Sequence, residues 1–245
     1  MPRRFAASER LTSAERNPGV THVVAGAVVR ADGRMLIAQR PPGKHLAGRW
    51  EFPGGKLEPG ESRAAGLARE LREELDIAIR DPRPLVRVRH AYPQGDVLID
   101  MWVVTHYQGD PRGLDGQALR WCTHDELAGA DLLPADRPIV RALRLPERLT
   151  TPHARHYEVT GAPVGPAPAV PGGAGGRLQG VLCSGLDEAS TGAAQGADFL
   201  VMDRTLAREQ LQRLCDSVAL PVFARGLTLE AAWAAGATGL SELAA

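Results

Sequence analysis

Cysteine is scarce in this chain. Its 245 residues include three, Cys122, Cys183 and Cys215, with no CxxC pair. That spacing excludes a disulfide scaffold and a zinc knuckle, and it predicts a reduced, cytoplasmic compartment. An excess of either charge is also lacking, since 29 Lys plus Arg balance 29 Asp plus Glu. No basic field therefore draws the chain to nucleic acid or to an anionic membrane, and neither is expected as a direct partner. Long apolar runs are missing too: the longest, Val23 to Val29, falls far short of the roughly 20 residues that span a bilayer. What is present is ordinary for a globular protein, with 44% hydrophobic and 24% charged residues, and this argues against global disorder. At about 150 residues per domain, the length predicts one or two domains.

Residues 1–19 carry Arg3, Arg4, Arg10 and Arg16 but also Glu9 and Glu15, without an apolar stretch. They are expected to be a mobile tail and not a secretory signal. From Thr21 the pattern is strand-like, and Ala31-Asp32-Gly33-Arg34 is expected to be a hairpin turn leading to a strand over Met35–Ala38. Further strands are expected at Val97–Thr105 and Ala118–Cys122, and helices at Ser62–Leu75 and Arg137–Leu143. Gly161 to Gly176 contains only Gly, Ala, Pro and Val with no periodicity, so a linker is expected over 147–176. Beyond it, short apolar strands alternate with helices (Leu178–Cys183, Asp187–Gln195, Asp198–Met202, Arg204–Val218, Leu220–Ala224, Leu229–Ala235), which predicts βα units on a parallel sheet over 177–245.

The chemistry concentrates in Trp50 to Ile77, WEFPGGKLEPGESRAAGLARELREELDI. Two glycine turns, Pro53-Gly54-Gly55 and Pro59-Gly60, allow a ligand to approach the backbone closely. The helix that follows has an apolar stripe of Ala64, Leu67, Ala68, Leu71 and Leu75. On another face, Glu70, Glu73 and Glu74 stand at i, i+3 and i+4. Carboxylates so spaced lie about 5–6 Å apart at Cβ and repel one another. A hard divalent cation turns that repulsion into binding, because Mg²⁺ takes oxygen ligands from carboxylates together with substrate phosphates. Arg69 beside Glu73 leaves a solvated charged face as the alternative reading.

Gly55, Glu61, Arg69, Glu70, Leu71, Glu73, Glu74 and Ile77 are in register with the Nudix box, G-x5-E-x7-R-E-U-x-E-E-x-G-U. Asp76 alone departs, standing where the pattern has glycine; Asp tolerates the left-handed conformation better than most residues, so a small stability cost is expected. The chain resembles the Nudix hydrolases from about Val20 to Leu145, and Trp50 to Lys56 is similar to the MutT-type branch. The resemblance implies an α/β/α sandwich with a mixed sheet over 20–146. It also implies a hydrolase that converts oxidised purine nucleotides such as 8-oxo-dGTP to the monophosphate and pyrophosphate. Glu70, Glu73 and Glu74, with the Gly54 carbonyl, would hold Mg²⁺ or Mn²⁺, and Arg69 would orient the carboxylates. Arg40 would contact the phosphates, and His45 would lie near them. Asp115, where the branch carries a glutamate, would be a metal ligand or a base that orients water, or else a polar turn residue. Phe52 would pack on the purine or belong to the core. Asp136 stands where the branch typically has Asn. Asn both donates and accepts, whereas an ionised Asp only accepts and a protonated one does both. Alternatives are hydrolysis of another nucleoside diphosphate derivative or an unoxidised dNTP, or a catalytically silent ligand sensor.

Three segments of the second half, Gly196–Val201, Leu220–Gly226 and Ala234–Leu240, resemble the closing strands of thiamine phosphate synthase-like barrels. About 70 residues are covered, against the 200 or more that a (β/α)₈ barrel requires. A truncated, partial barrel is therefore expected, with an exposed sheet edge through which two copies could pair as a homodimer.

Overall fold

The structure, a computed structural model, describes residues 19–160 and 176–243. The expected tail, apart from Gly19, and the core of the expected linker lie outside the described residues. The chain forms two compact units: one runs to Arg83 and resumes over Arg89–Arg137, while the other comprises Pro84–Val88 and Pro138 onward.

The first unit is a mixed α/β sandwich. Its elements are β1 (Val20–Val28), β2 (Met35–Gln39), β3 (Trp50–Glu51), β4 (Gly54–Lys56), α1 (Arg63–Leu75), β5 (Ala78–Arg80), β6 (Arg83–Tyr92, of which Pro84–Val88 fall in the second unit), β7 (Gly95–Val104), β8 (His106–Gln108), β9 (Leu119–Cys122) and α2 (His124–Ala128). One sheet has the order β4-β1-β7-β6, in which β1 pairs antiparallel with β4 and parallel with β7. A second, antiparallel sheet has the order β3-β2-β9, and β5 pairs with β8. The β1–β2 turn closes through Gly33 N–H to Arg30 O at 2.8 Å, with Gly33 at φ 80, as its Asp-Gly pair predicts.

Helix α1 positions the acids. Ser62 caps its start by accepting from Ala65 N–H at 3.2 Å. Its stripe of Ala64, Leu67, Leu71 and Leu75 packs on Val24, Val28, Trp102 and Val104. Burying each leucine contributes roughly 1.5–3 kcal/mol, so the opposite face of α1 can hold repelling carboxylates. The helix ends at Asp76 with φ 58, in the left-handed geometry that the glycine of the sequence pattern would supply.

The second unit contains α3 (Arg137–Ala142, beginning at the boundary), β10 (Arg148–Leu149), β11 (Tyr157–Thr160), β12 (Leu178–Cys183), α4 (Leu186–Ala194), β13 (Phe199–Met202), α5 (Arg208–Ser217), β14 (Val222–Arg225), α6 (Leu229–Ala234) and β15 (Gly239–Ser241). Its six strands are all parallel in the order β10-β15-β14-β13-β12-β11. This is the cyclic order of a barrel left open between β10 and β11, consistent with the expected partial barrel. One face of the curled sheet gathers Leu149, Tyr157, Val159, Phe199, Val201 and Phe223. The other packs Val181, Leu200, Met202 and Val222 on Leu211, Leu214 and Ala232 of the helices. Alternate strand residues thus serve two apolar layers.

Three expectations are corrected. The stretch 147–176 is not linker throughout, because β10 and β11 lie within it and bury Leu149, Tyr157 and Val159. The compact units divide at Arg137/Pro138, earlier than a boundary at 146. Among the described residues the parallel sheet has six strands and not only those read over 177–245, since β10 and β11 add to it.

Candidate functional site

The glycine segment packs closely on the β1 backbone and on the Glu70 side chain of α1. Gly54 has φ 148, and a Cβ there would fall 2.1 Å from Val24 O; a Cβ on Gly55 would fall 2.3 Å from a Glu70 carboxylate oxygen. Gly54 requires glycine on both counts, and a side chain at Gly55 would displace the Glu70 carboxylate.

Arg69 holds the acidic face together. It binds Glu61 through two bonds, Nε to Oε1 at 3.1 Å and Nη2 to Oε2 at 3.0 Å. Its Nη1 donates to Glu70 Oε1 at 2.9 Å and Glu73 Oε2 at 3.1 Å, and Nη2 also reaches Lys56 O at 3.0 Å. Hydrogen bonding to Arg69 holds the Glu61 carboxyl below its usual range and raises the guanidinium in turn. Glu74 differs. Its Oε2 accepts from Gly54 N–H at 3.1 Å, yet burial pushes it up to about 7, with the like charges of Glu51 and Glu70 adding to the shift.

Among the described residues no three acids or histidines already form a metal cage. The acids are instead held by Arg69 and the Gly54 N–H. The donor set nevertheless fits a hard cation: it is all oxygen, and a carboxylate raised by burial and then by like charges is what a divalent ion relieves.

The segment following β8 is fastened to the end of α1. Arg112 N–H donates to Leu75 O and Leu114 N–H to Glu74 O, each at 3.0 Å, and the Arg112 guanidinium pairs with Asp76. Gln117 Nε2 reaches Glu74 O at 3.2 Å while its Oε1 accepts from Asp115 N–H at 2.9 Å. Exposed Asp115 therefore lines the same cleft as Glu74, together with Lys44, Glu51, Pro53 and Gln117.

Strand β3 links this cleft to Asp136. Trp50 N–H donates to Asp131 O at 3.0 Å, and Leu133 N–H donates to Trp50 O at 2.9 Å. The next residue, Glu51, pairs with Arg40, whose Nε also donates to His45 O at 2.7 Å. Phe52 has its ring 3% exposed and gives its backbone N–H to the Asp136 carboxylate. Asp136 is pushed up to about 8, chiefly by burial and then by Glu51, and its Oδ2 is buried without a partner. His45 is exposed, its ring edge-on to Tyr92 at 5.7 Å, and Tyr92 in turn meets His90 at 4.4 Å. The Tyr92 phenol, raised by burial, feels the Asp136 charge.

The structure thus gathers Gly54, Glu70, Glu73, Glu74 and Arg69 on one helix-and-loop surface, with Asp115 beside Glu74. Arg40 pairs with Glu51, and the charges of both reach Asp136. Lys44, Glu51, Gln117 and Tyr92 were missed by the sequence reading. Glu51 had a signal, an acid three residues before the glycine pair. The other three come from separate loops and strands, and no spacing marks them.

The family model described as NUDIX domain matches residues 24–142. A CTP pyrophosphohydrolase of Escherichia coli K12 is 38% identical over 119 residues, 49% of this chain and 88% of the relative. The 8-oxo-dGTP diphosphatase of the same strain is 29% identical over 122 residues, 50% of this chain and 95% of the relative. Among solved structures, the solution structure of the E. coli ORF135 protein is 38% identical, covering 51% of this chain and 89% of that one, with a TM-score of 0.47.

Proposed function

The chain belongs to the Nudix family, and from that premise we propose that it is a Mg²⁺-dependent pyrophosphohydrolase of nucleoside triphosphates, able to use Mn²⁺, acting on oxidised purine nucleotides such as 8-oxo-dGTP. The observation that carries this reading is the acidic face of Glu61, Glu70 and Glu73 braced by Arg69, with Glu74, raised by burial to about 7, beside it. Glu70, Glu73, Glu74 and the Gly54 carbonyl would hold the cation. When bound, it would polarise phosphate oxygens and lower the pKa of the attacking water. Arg69 keeps Glu61, Glu70 and Glu73 in one orientation. Lys44 adds positive charge to the cleft wall, and Arg40, already neutralised by Glu51, offers its remaining donors to a phosphate. Asp115 stands where it could orient water.

Asp136 would read the base. In its neutral form it donates one hydrogen bond and accepts another, matching the O6 and N7–H of an 8-oxopurine. An ionised Asp136 only accepts, which suits an exocyclic amino group such as that of cytosine. The unpartnered Oδ2 of Asp136 therefore also favours a second reading, a CTP-type substrate, in keeping with the name of the 38% identical relative. The open seam between β10 and β11 would leave strand edges free to pair with a second copy.

The test is a panel of 8-oxo-dGTP, 8-oxo-GTP, dGTP, CTP and ADP-ribose compared by kcat/KM, with and without Mg²⁺. Metal-stimulated pyrophosphate release, greatest for 8-oxo-dGTP, is expected. A maximum at CTP selects the second reading, and no metal-stimulated release from any of them overturns both.

A further inference from the structure

Glu51 has a role that bracing Arg40 does not exhaust. Its Oε2 accepts from Arg40, whereas among the described residues no donor reaches Oε1. The side chain is three-quarters buried, at 24% exposure, and lines the cleft with Glu74, Lys44 and Asp115. It adjoins Glu74 in the cleft wall and Phe52, the neighbour of Asp136, in the chain. Its charge acts on both Glu74 and Asp136. Its neighbours in β3 and beyond, Trp50 and Phe52, hold the Asp131–Asp136 segment.

A triphosphate drawn to the acidic face presents only acceptors, so it cannot satisfy a carboxylate oxygen. The base would be at Asp136. What joins the two in a nucleotide is the sugar, whose only donors are its hydroxyls. We infer that Glu51 Oε1 accepts a hydrogen bond from a sugar hydroxyl of the bound nucleotide and so selects substrates by their sugar. This rests on the nucleotide reading proposed above. Arg40 makes it feasible, because pairing cancels the carboxylate charge that would otherwise repel the phosphates. Glu51 is then a specificity-determining residue, distinct from the metal-binding acids.

The experiment measures kcat/KM with Mg²⁺ for a ribonucleoside triphosphate and its 2′-deoxy, 3′-deoxy and 2′,3′-dideoxy counterparts, all of one base. A hydrogen bond to a charged acceptor predicts that wild-type enzyme disfavours the dideoxy compound by about ten- to a hundredfold. The two singly deoxygenated compounds identify the hydroxyl by which one shares the loss. In Glu51→Ala the discrimination should shrink to about twofold, and Glu51→Gln, which keeps an amide oxygen, should lie between. Arg40→Ala should slow all four compounds alike and leave their ratios standing, which separates sugar recognition from simple support of Arg40. Equal rates for the dideoxy and ribo compounds in the wild type, or undiminished discrimination in Glu51→Ala, would overturn the inference alone. Turnover of none of the four would remove the nucleotide reading and this inference with it. The wild-type series is decisive even if Glu51→Ala fails to fold.

Discussion

In the first unit, burial raises three acids that line or adjoin one cleft: Glu51, Glu74 and Asp136. In the second unit, Glu188 is held below its usual range because it accepts from the Ser184 N–H at 2.7 Å and the Ser184 hydroxyl at 2.9 Å. The Ser184 hydroxyl also lies 3.1 Å from Asp203 Oδ2, and Arg204 donates to Ser184 O at 2.8 Å. In the second network the exposed Glu188 is stabilised as a charge by donors of the protein itself. In the first, Arg40 compensates Glu51, but Glu74 and Asp136 have no ion-pair partner among the described residues, the arrangement that perturbed groups take where a ligand completes them. The same contrast separates the cores: Phe199 and Phe223 fill the sheet interior in edge contact at 5.6 Å, whereas Gly54 and Gly55 keep backbone bare beside the carboxylates.

The sharpest way to break this comparison is Glu74→Gln. Catalytic turnover should fall by more than the ~10–100-fold that follows loss of a group one step removed from a metal, while thermal melting shows no loss of stability, because a buried and repelled charge has gone. A melting temperature that drops with activity would mean Glu74 is structural. Arg69→Ala should cost about 10–100-fold in turnover and weaken metal activation, read as a higher Mg²⁺ concentration for half-maximal rate. In the second unit, Phe199→Ala should lower unfolding free energy by about 3–5 kcal/mol in denaturant titrations, with kcat per folded molecule unchanged.

Asp136 gives a smaller effect that depends on pH. Its carboxyl is raised from 3.8 to about 8 in the folded state. Below the lower value both states are protonated. Between the two, only the unfolded chain ionises, so stability falls as pH rises; above about 8 both are ionised and the loss is complete. Urea titrations at about pH 5 and about pH 9 should show wild type losing stability across that window, and Asp136→Asn losing less. Equal pH dependence in the two proteins would place the ionisation elsewhere. Asp76→Gly should do least, within about 1 kcal/mol, because the gain from a glycine at φ 58 offsets loss of the exposed pair with Arg112.

Legibility followed the range of the interactions. Helix α1 was readable because its apolar stripe, its Ser62 cap and its acids are all local, and Leu178–Cys183 was readable as a strand from a compact apolar run. Strand β6 escaped notice because arginines interrupt its apolar residues, and β10 and β11 because each is short and gains its place only by pairing with distant strands. Asp115 and Asp136 could be named from resemblance, but nothing in their spacing indicates that the first stands beside Glu74 or that the second is buried.

The amino-acid order by itself determined the acidic helix, the glycine turn ahead of it and the alternation of strands and helices in the second half. These depend on contacts within a few residues, where helical and extended periodicities dictate which side chains share a face. Only the tertiary structure decided that the charge of Glu51 reaches both Glu74 and Asp136, that Arg40 is engaged before any phosphate arrives, and that the parallel sheet closes β15 onto β10. Each of those depends on burial and on charges brought together across tens of residues, and desolvation acts on a group only after the chain has folded around it.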